Sequence, residues 1–144
     1  METLFKLLSD AQASLFVLFQ KTWVYHWNVV GPDFSQLHEL FGEQYTSMFG
    51  EIDRLTEHMR YLNIKPVSTL TRVVEVSKIS EASSSANANN MLNDLLQSNI
   101  EFCTLMQEIS EEAEQQKQYA TANLVQDLME AHGKNVWMLR SHLQ

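Results

Sequence analysis

Residues 26–38 read HWNVVGPDFSQLH, two histidines twelve positions apart with Gly31-Pro32 between them. Proline lacks the amide proton that a helix interior needs, and glycine permits a sharp reversal, so this dipeptide breaks the chain between two helices. His26 lies five residues before the break and His38 six after it. An antiparallel helical hairpin therefore carries the two imidazoles at one height.

The segments on either side are helical by period. From Glu2 to Val29, Leu4, Leu7, Leu8, Ala11, Leu15, Leu18 and Val24 recur at three and four. Phe5, Phe16, Phe19, Trp23 and Trp27 make other faces of the same helix apolar, which predicts burial on more than one side and contacts with other copies of the chain. The second helix is expected to start at Asp33, with Gln36 three residues later completing a capping box. Its seam is Phe34, Leu37, Phe41, Tyr45, Met48, Ile52, Leu55, Met59 and Leu62, ending before Pro66.

Fifteen residues after His38 comes Asp53, and then Glu57, at i and i+4 on one helix face. At about 1.5 Å per residue, His38 and Asp53 are about 22 Å apart on a straight helix, so they cannot share an ion within one chain. At about 100° per residue they do point within roughly 60° of one another. Two hairpins paired about a two-fold axis, second helices antiparallel, bring the histidines of each to the carboxylates of the other and make two equal sites. Two imidazoles and two carboxylates suit Fe(II), with a carboxylate able to bridge to a second ion, and they suit zinc as well. The spacing also fits a plainer reading, in which the histidines are satisfied core or surface residues and the carboxylates a solvated face.

Thr69–Ser77 (TLTRVVEVS) has strand-like composition, but a lone strand cannot satisfy its backbone, so a short connecting helix is expected there, followed by a Ser-rich loop. Further helices are expected from Asn87 to Gln116 and from Tyr119 to Leu143. The order long, long, crossover, long, long predicts an all-α four-helix bundle with a short helix in the long connection between helices two and three. Its 144 residues fit one domain, 1–144. No Glu has a His three residues later, so the internal di-iron motif of such bundles is not expected.

Composition narrows the function. Apolar residues make up 44% and charged residues 19%, as in globular proteins. The net charge of -8 opposes non-specific binding to nucleic acid and to anionic membranes, and suits collecting cations. Cys103 is the single cysteine and sits in apolar IEFCTLM, which predicts an inert thiol, no internal disulfide and a cytoplasmic setting. LFVLF is too short for a signal sequence, and no segment reaches the roughly 18 apolar residues of a membrane span.

HWNVVGPDFSQLHELF (26–41), EIDRLTEHMRYLNIKP (51–66), TLTRVVEVSKISE (69–81) and ATANLVQDLMEAHGKNVWMLR (120–140) together resemble the Dps family of mini-ferritins over nearly the whole chain. The resemblance implies a ferritin-like fold and a hollow shell of twelve subunits. It implies ferroxidase sites between two subunits, with His26, His38, Asp53 and Glu57 as iron ligands. It implies Fe(II) and hydrogen peroxide as substrates and ferric mineral as the stored product. Glu39 and Glu43 correspond to acids that nucleate mineral, and Trp27 to an aromatic that gives up an electron near the iron. The sequence departs from the family at Asn123, where a pore Asp is common, leaving Asp127, and at Gly133, where Glu is common. The Lys-rich tail that many members place on DNA is not in the sequence, so direct DNA binding is not expected. The acids Glu108, Glu111, Glu112 and Glu114 read as a solvated face.

Overall fold

The computed structural model of the protein describes residues 1–143. Among them are five α-helices and no strand: α1 Glu2–Asn28, α2 Phe34–Tyr61, α3 Leu70–Val76, α4 Ala88–Gln115 and α5 Tyr119–Ser141. The four long helices form a bundle. α4 packs most extensively on α5 and α1 on α2, α1 also packs on α4, and the α2–α5 seam is the thinnest. The short helix α3 rides on α1 within the long crossover.

Local chemistry accounts for the breaks. Gly31 adopts φ 121, which only glycine takes without strain, and turns α1 into α2. α2 ends where Asn63 adopts φ 63 and the Ile64 amide donates to the Met59 carbonyl at 2.8 Å. Asn tolerates that left-handed conformation better than most residues. Thr69 caps α3 by accepting from the Arg72 amide at 3.2 Å, so the strand-like composition of this segment yields to a capped helical turn.

The expected capping box at Asp33 does not form. Asp33 sits at φ -102, ψ 22 and its side chain makes no cap hydrogen bond. A capping side chain reaches the first helical amides from extended backbone, and Asp33 is already turned inward. The box occurs instead at α4, where Asn87 accepts from the Asn90 amide at 2.8 Å and the Asn90 side chain accepts from the Asn87 amide at 3.3 Å.

The core is apolar, with Leu4, Leu8, Leu15, Leu18, Phe41, Met48, Leu55, Leu95, Phe102 and Met106 fully buried. One polar knot interrupts it. Lys21 is wholly buried and donates to Asp94 at 3.1 Å and Ser98 at 2.7 Å. The Tyr25 hydroxyl donates to Asp94 at 2.6 Å and accepts from the Ser83 amide at 3.0 Å. Burial, reinforced by the Asp94 carboxylate, pushes the Tyr25 phenol up to about 12. The knot ties α1, α4 and the end of the crossover together one residue before His26.

Removing one partner of such a pair leaves an uncompensated buried charge, at a cost of about 3–5 kcal/mol. Asp94→Ala, which strands the Lys21 ammonium, should therefore lose about 3 kcal/mol in urea unfolding at fixed protein concentration. Lys21→Met, which strands only the partly hydrated Asp94, should lose less.

Candidate metal centre

The hairpin brings His26 and His38 face to face, with ring centroids 3.8 Å apart and planes within 14°. Each ring is pinned by the backbone of the other residue. His26 Nδ1 lies 2.6 Å from the His38 carbonyl, and His38 Nδ1 lies 2.7 Å from the His26 carbonyl. A carbonyl oxygen only accepts, so each Nδ1 carries a proton, and in the neutral ring this leaves the lone pair on Nε2. Fixing the far nitrogen in this way sets tautomer and orientation in metal-binding histidines generally. The outer faces of the stack are closed by Phe34, 5.2 Å from the His38 ring, and Tyr45, 5.2 Å from the His26 ring.

Gly42 makes this packing possible. A Cβ there would lie 3.0 Å from His26 Cε1 and 3.1 Å from Nδ1. In the sequence a glycine inside a helix reads only as a cost of about 1 kcal/mol. The available signal was its place four residues after His38, on the same helix face.

Asp53 and Glu57 are exposed on α2. A hydrogen bond to Asp53, together with the Asp53 charge, holds the Glu57 carboxyl above its usual range. Two carboxylates this close repel one another when both are ionised, which a bound cation would relieve. α2 is unbroken from Phe34 to Tyr61, so the carboxylate pair stands about 22 Å from His38. Among the described residues, no three His, Cys, Asp or Glu side chains converge within one chain. The structure thus brings His26 to His38 and Asp53 to Glu57, and keeps the two pairs apart.

An apolar groove of about 960 Å³ lies between α1 and α2, lined by Asp53 and by Tyr45, which packs on the His26 ring. Phe16, Phe19 and Trp23 of α1 face Tyr45, Phe49 and Ile52 of α2, and Asp53 and Thr56 line the groove as well. Phe49 is 69% exposed. This is the extra apolar face that the sequence of α1 predicts.

The remaining candidates make no described contact with the histidine rings. Glu39 and Glu43 are exposed on α2, and Trp27 is exposed at the end of α1. Asp127 is exposed but paired with Arg54 at 3.0 Å, which offsets its charge. Glu108, Glu111 and Glu114 are exposed and Glu112 half-buried. Cys103 is half-buried, its thiol pushed up by burial.

Sequence reading missed a contact in the bundle interior. Glu51 of α2 meets fully buried His132 of α5 at 2.7 Å, and His132 Nδ1 lies 2.8 Å from Asn99 Oδ1. Both ring nitrogens of His132 are engaged, which leaves no lone pair for a metal. Residues 81 apart carry no local signal of such a pair.

The Ferritin-like domain family matches residues 5–144. A DNA protection during starvation protein of Brevibacillus brevis is 32% identical over 138 residues, covering 96% of this chain and 93% of that protein. The chain belongs to the Dps branch of the ferritin-like family. The Dps structure from Thermosynechococcus elongatus superposes with a TM-score of 0.97 at 29% identity, covering 99% of this chain and 91% of that one. The Dps protein of Vibrio cholerae O1 is described as a member of a broad superfamily of ferritin-like diiron-carboxylate proteins. It superposes at 0.94 with 27% identity, covering 99% of this chain and 90% of that one. Membership in Dps agrees with a mini-ferritin role and with iron as the metal handled.

Three outcomes follow from this geometry. Gly42→Ala should displace the His26 ring and weaken anaerobic Fe(II) binding by about tenfold or more, the usual effect of disturbing a ligand's support. Gly133→Ala, where a Cβ meets nothing within 4 Å, should instead raise stability by up to about 1 kcal/mol. For Glu57, the hydrogen bond to Asp53, reinforced by the Asp53 charge, favours the protonated carboxyl above the usual 4.5, so the group holds a proton to higher pH than a free carboxyl does. Cation binding should release a proton in that window, and Asp53→Asn should abolish the release, as read by pH-stat titration.

Proposed function

We propose that this Dps chain is a ferroxidase and iron-storage subunit whose active site is completed by a second copy. The observation that carries this reading is that one apolar groove is lined both by Asp53 and by Tyr45, the ring that packs on His26. A second copy laid antiparallel across the groove covers Phe16, Phe19, Trp23 and Phe49. The same docking places its Asp53 and Glu57 against this chain's His26 and His38, and the two-fold axis repeats the arrangement. Covering the apolar face drives the association, and assembling the ligands is its chemical result.

Fe(II) is the substrate. The two Nε2 lone pairs and two carboxylates make a mixed nitrogen and oxygen set suited to ferrous ion. The anionic half favours the higher charge of the oxidised ion, so the set favours loss of an electron. Hydrogen peroxide is the proposed oxidant and ferric mineral in a hollow, twelve-subunit shell the proposed product, which spares the cell hydroxyl radical. Glu39 and Glu43 are proposed to start mineral growth, and Asp127, tempered by Arg54, to line the route by which cations arrive. A resting zinc site is separated from this reading by anaerobic Fe(II) loading followed by peroxide. Formation of ferric absorbance is expected, and metal binding without turnover would favour zinc.

Mixing tests the shared site. His38→Ala and Asp53→Ala chains should each be inactive alone. After co-refolding, half of the dimers are hybrids, each with one intact and one doubly damaged site. Ferroxidase activity should return to roughly a quarter of the unmutated level. No recovery would overturn the inter-subunit site.

DNA coating is not part of this reading. Each subunit carries -8, and phosphate contacts depend on clustered Lys and Arg. In a gel shift at about 0.15 M salt with chelator present, the assembled protein should leave duplex DNA unshifted at sub-micromolar concentration.

A further inference from the structure

α2 and α5 face one another across the thinnest seam of the bundle, and the seam opens into a cleft of about 280 Å³. Glu43, Gln44 and Glu51 line it from α2 and Lys134 from α5. Gln44 is only 5% exposed, yet neither its Oε1 nor its Nε2 has a hydrogen-bond partner. Buried polar groups are nearly always paired, so an amide with both ends unmet calls for a partner from outside the chain. Glu51 is already engaged. The Asn99 side-chain nitrogen donates to the Leu95 carbonyl at 2.8 Å, so Asn99 Oδ1 faces His132 and accepts from its Nδ1. His132 Nε2 lies 2.7 Å from the Glu51 carboxylate, a contact that holds a proton between the two. Two charges of the cleft remain. Glu43 and Lys134 are exposed on opposite walls, and neither belongs to a described ion pair. Leu40 and Met138 make the rest of the lining partly apolar.

We propose that this cleft binds a free α-amino acid with an apolar side chain. Such a molecule carries an ammonium donor and a carboxylate acceptor on adjacent carbons. The ammonium donates to Gln44 Oε1 and the carboxylate accepts from Gln44 Nε2, two bonds side by side that satisfy both ends of the buried amide. Glu43 then pairs with the ammonium and Lys134 with the carboxylate. A simple cation would leave Lys134 and the amide nitrogen unanswered, and a simple anion would leave Glu43 and the amide oxygen. The apolar side chain rests on Leu40 and Met138. None of His26, His38, Asp53 and Glu57 lines the cleft, so the site stands apart from the ferroxidase reading. A bound amino acid joins α2 to α5 across their thinnest seam, and because it binds only the folded chain it stabilises that chain. It also takes up Glu43, one of the two acids proposed above to start mineral growth.

L-Leucine is the probe. The assembled protein, free of iron and dialysed to remove small molecules, is titrated with leucine in a calorimeter and melted with and without it. Two analogues keep the same side chain: isoamylamine lacks the carboxylate and isocaproate lacks the ammonium. One leucine per chain should bind and raise the melting temperature. Each analogue should bind about tenfold more weakly or worse, because each leaves charged hydrogen bonds of the cleft unmade. Gln44→Met keeps the length of the side chain without its amide and should weaken leucine by about tenfold or more. Lys134→Ala changes only an exposed side chain. It should weaken leucine and isocaproate while leaving isoamylamine as it was, and it serves also if Gln44→Met fails to assemble. Equal binding of leucine and either analogue would overturn the amino-acid site, as would leucine affinity unchanged in the variants. No heat and no melting shift at millimolar leucine would overturn it as well, and would leave the Gln44 amide to water.

Discussion

The length of α2 is the constraint on which the rest depends. One unbroken helix from Phe34 to Tyr61 carries a histidine near its start and two carboxylates toward its end, the first about 22 Å away. A helix cannot bend to close such a gap without a proline, a bulge or an inserted group, and α2 has none of these. Each chain is therefore left with two half-sites and an apolar groove between α1 and α2. In the proposed pairing, chemistry and association become one problem, because a second copy would both cover Phe49 and complete the ligand set.

Within each half-site, order comes from the backbone. The crossed bonds between the His26 and His38 rings and each other's carbonyls, at 2.6 and 2.7 Å, use the hairpin as the second layer of support that metal-binding histidines usually draw from a carboxylate. The cost is steric. Two helices must approach closely enough for the His26 ring to lie over α2, and Gly42 is the position where a side chain would prevent it. Behind them, the Lys21–Asp94–Tyr25 knot fixes the last turns of α1 and so the height of His26. The Glu51–His132–Asn99 contacts occupy the bundle interior with a satisfied polar group.

How much of this is legible in the sequence depends on whether the signal is periodic. The four long helices follow from apolar residues at three and four, and the hairpin from Gly31-Pro32. The helical form of residues 70–76 follows from the absence of any strand to pair with. The pairing of His26 with His38, and of Asp53 with Glu57, follows from counting along helices. The Asp33 cap failed because capping depends on the backbone angle at one residue, which composition does not set. The crossed carbonyl bonds, the clearance at Gly42 and the cleft at Gln44 arise from the distance between two helices, and no single-chain pattern encodes that distance. Glu51 and His132 show the same limit, since a search for Glu-x-x-His finds spacing within a helix and misses a pair formed between helices.

The claim that the ion is shared between two chains is tested most directly by locating it. Crystals of the protein grown anaerobically with Fe(II), with anomalous diffraction collected across the iron edge, show which side chains surround the ion. The account predicts density between His26 and His38 of one chain and Asp53 and Glu57 of the partner subunit, repeated about the two-fold axis. Density enclosed by residues of a single chain, or lodged only on the acids of α2 and away from the histidines, would contradict it.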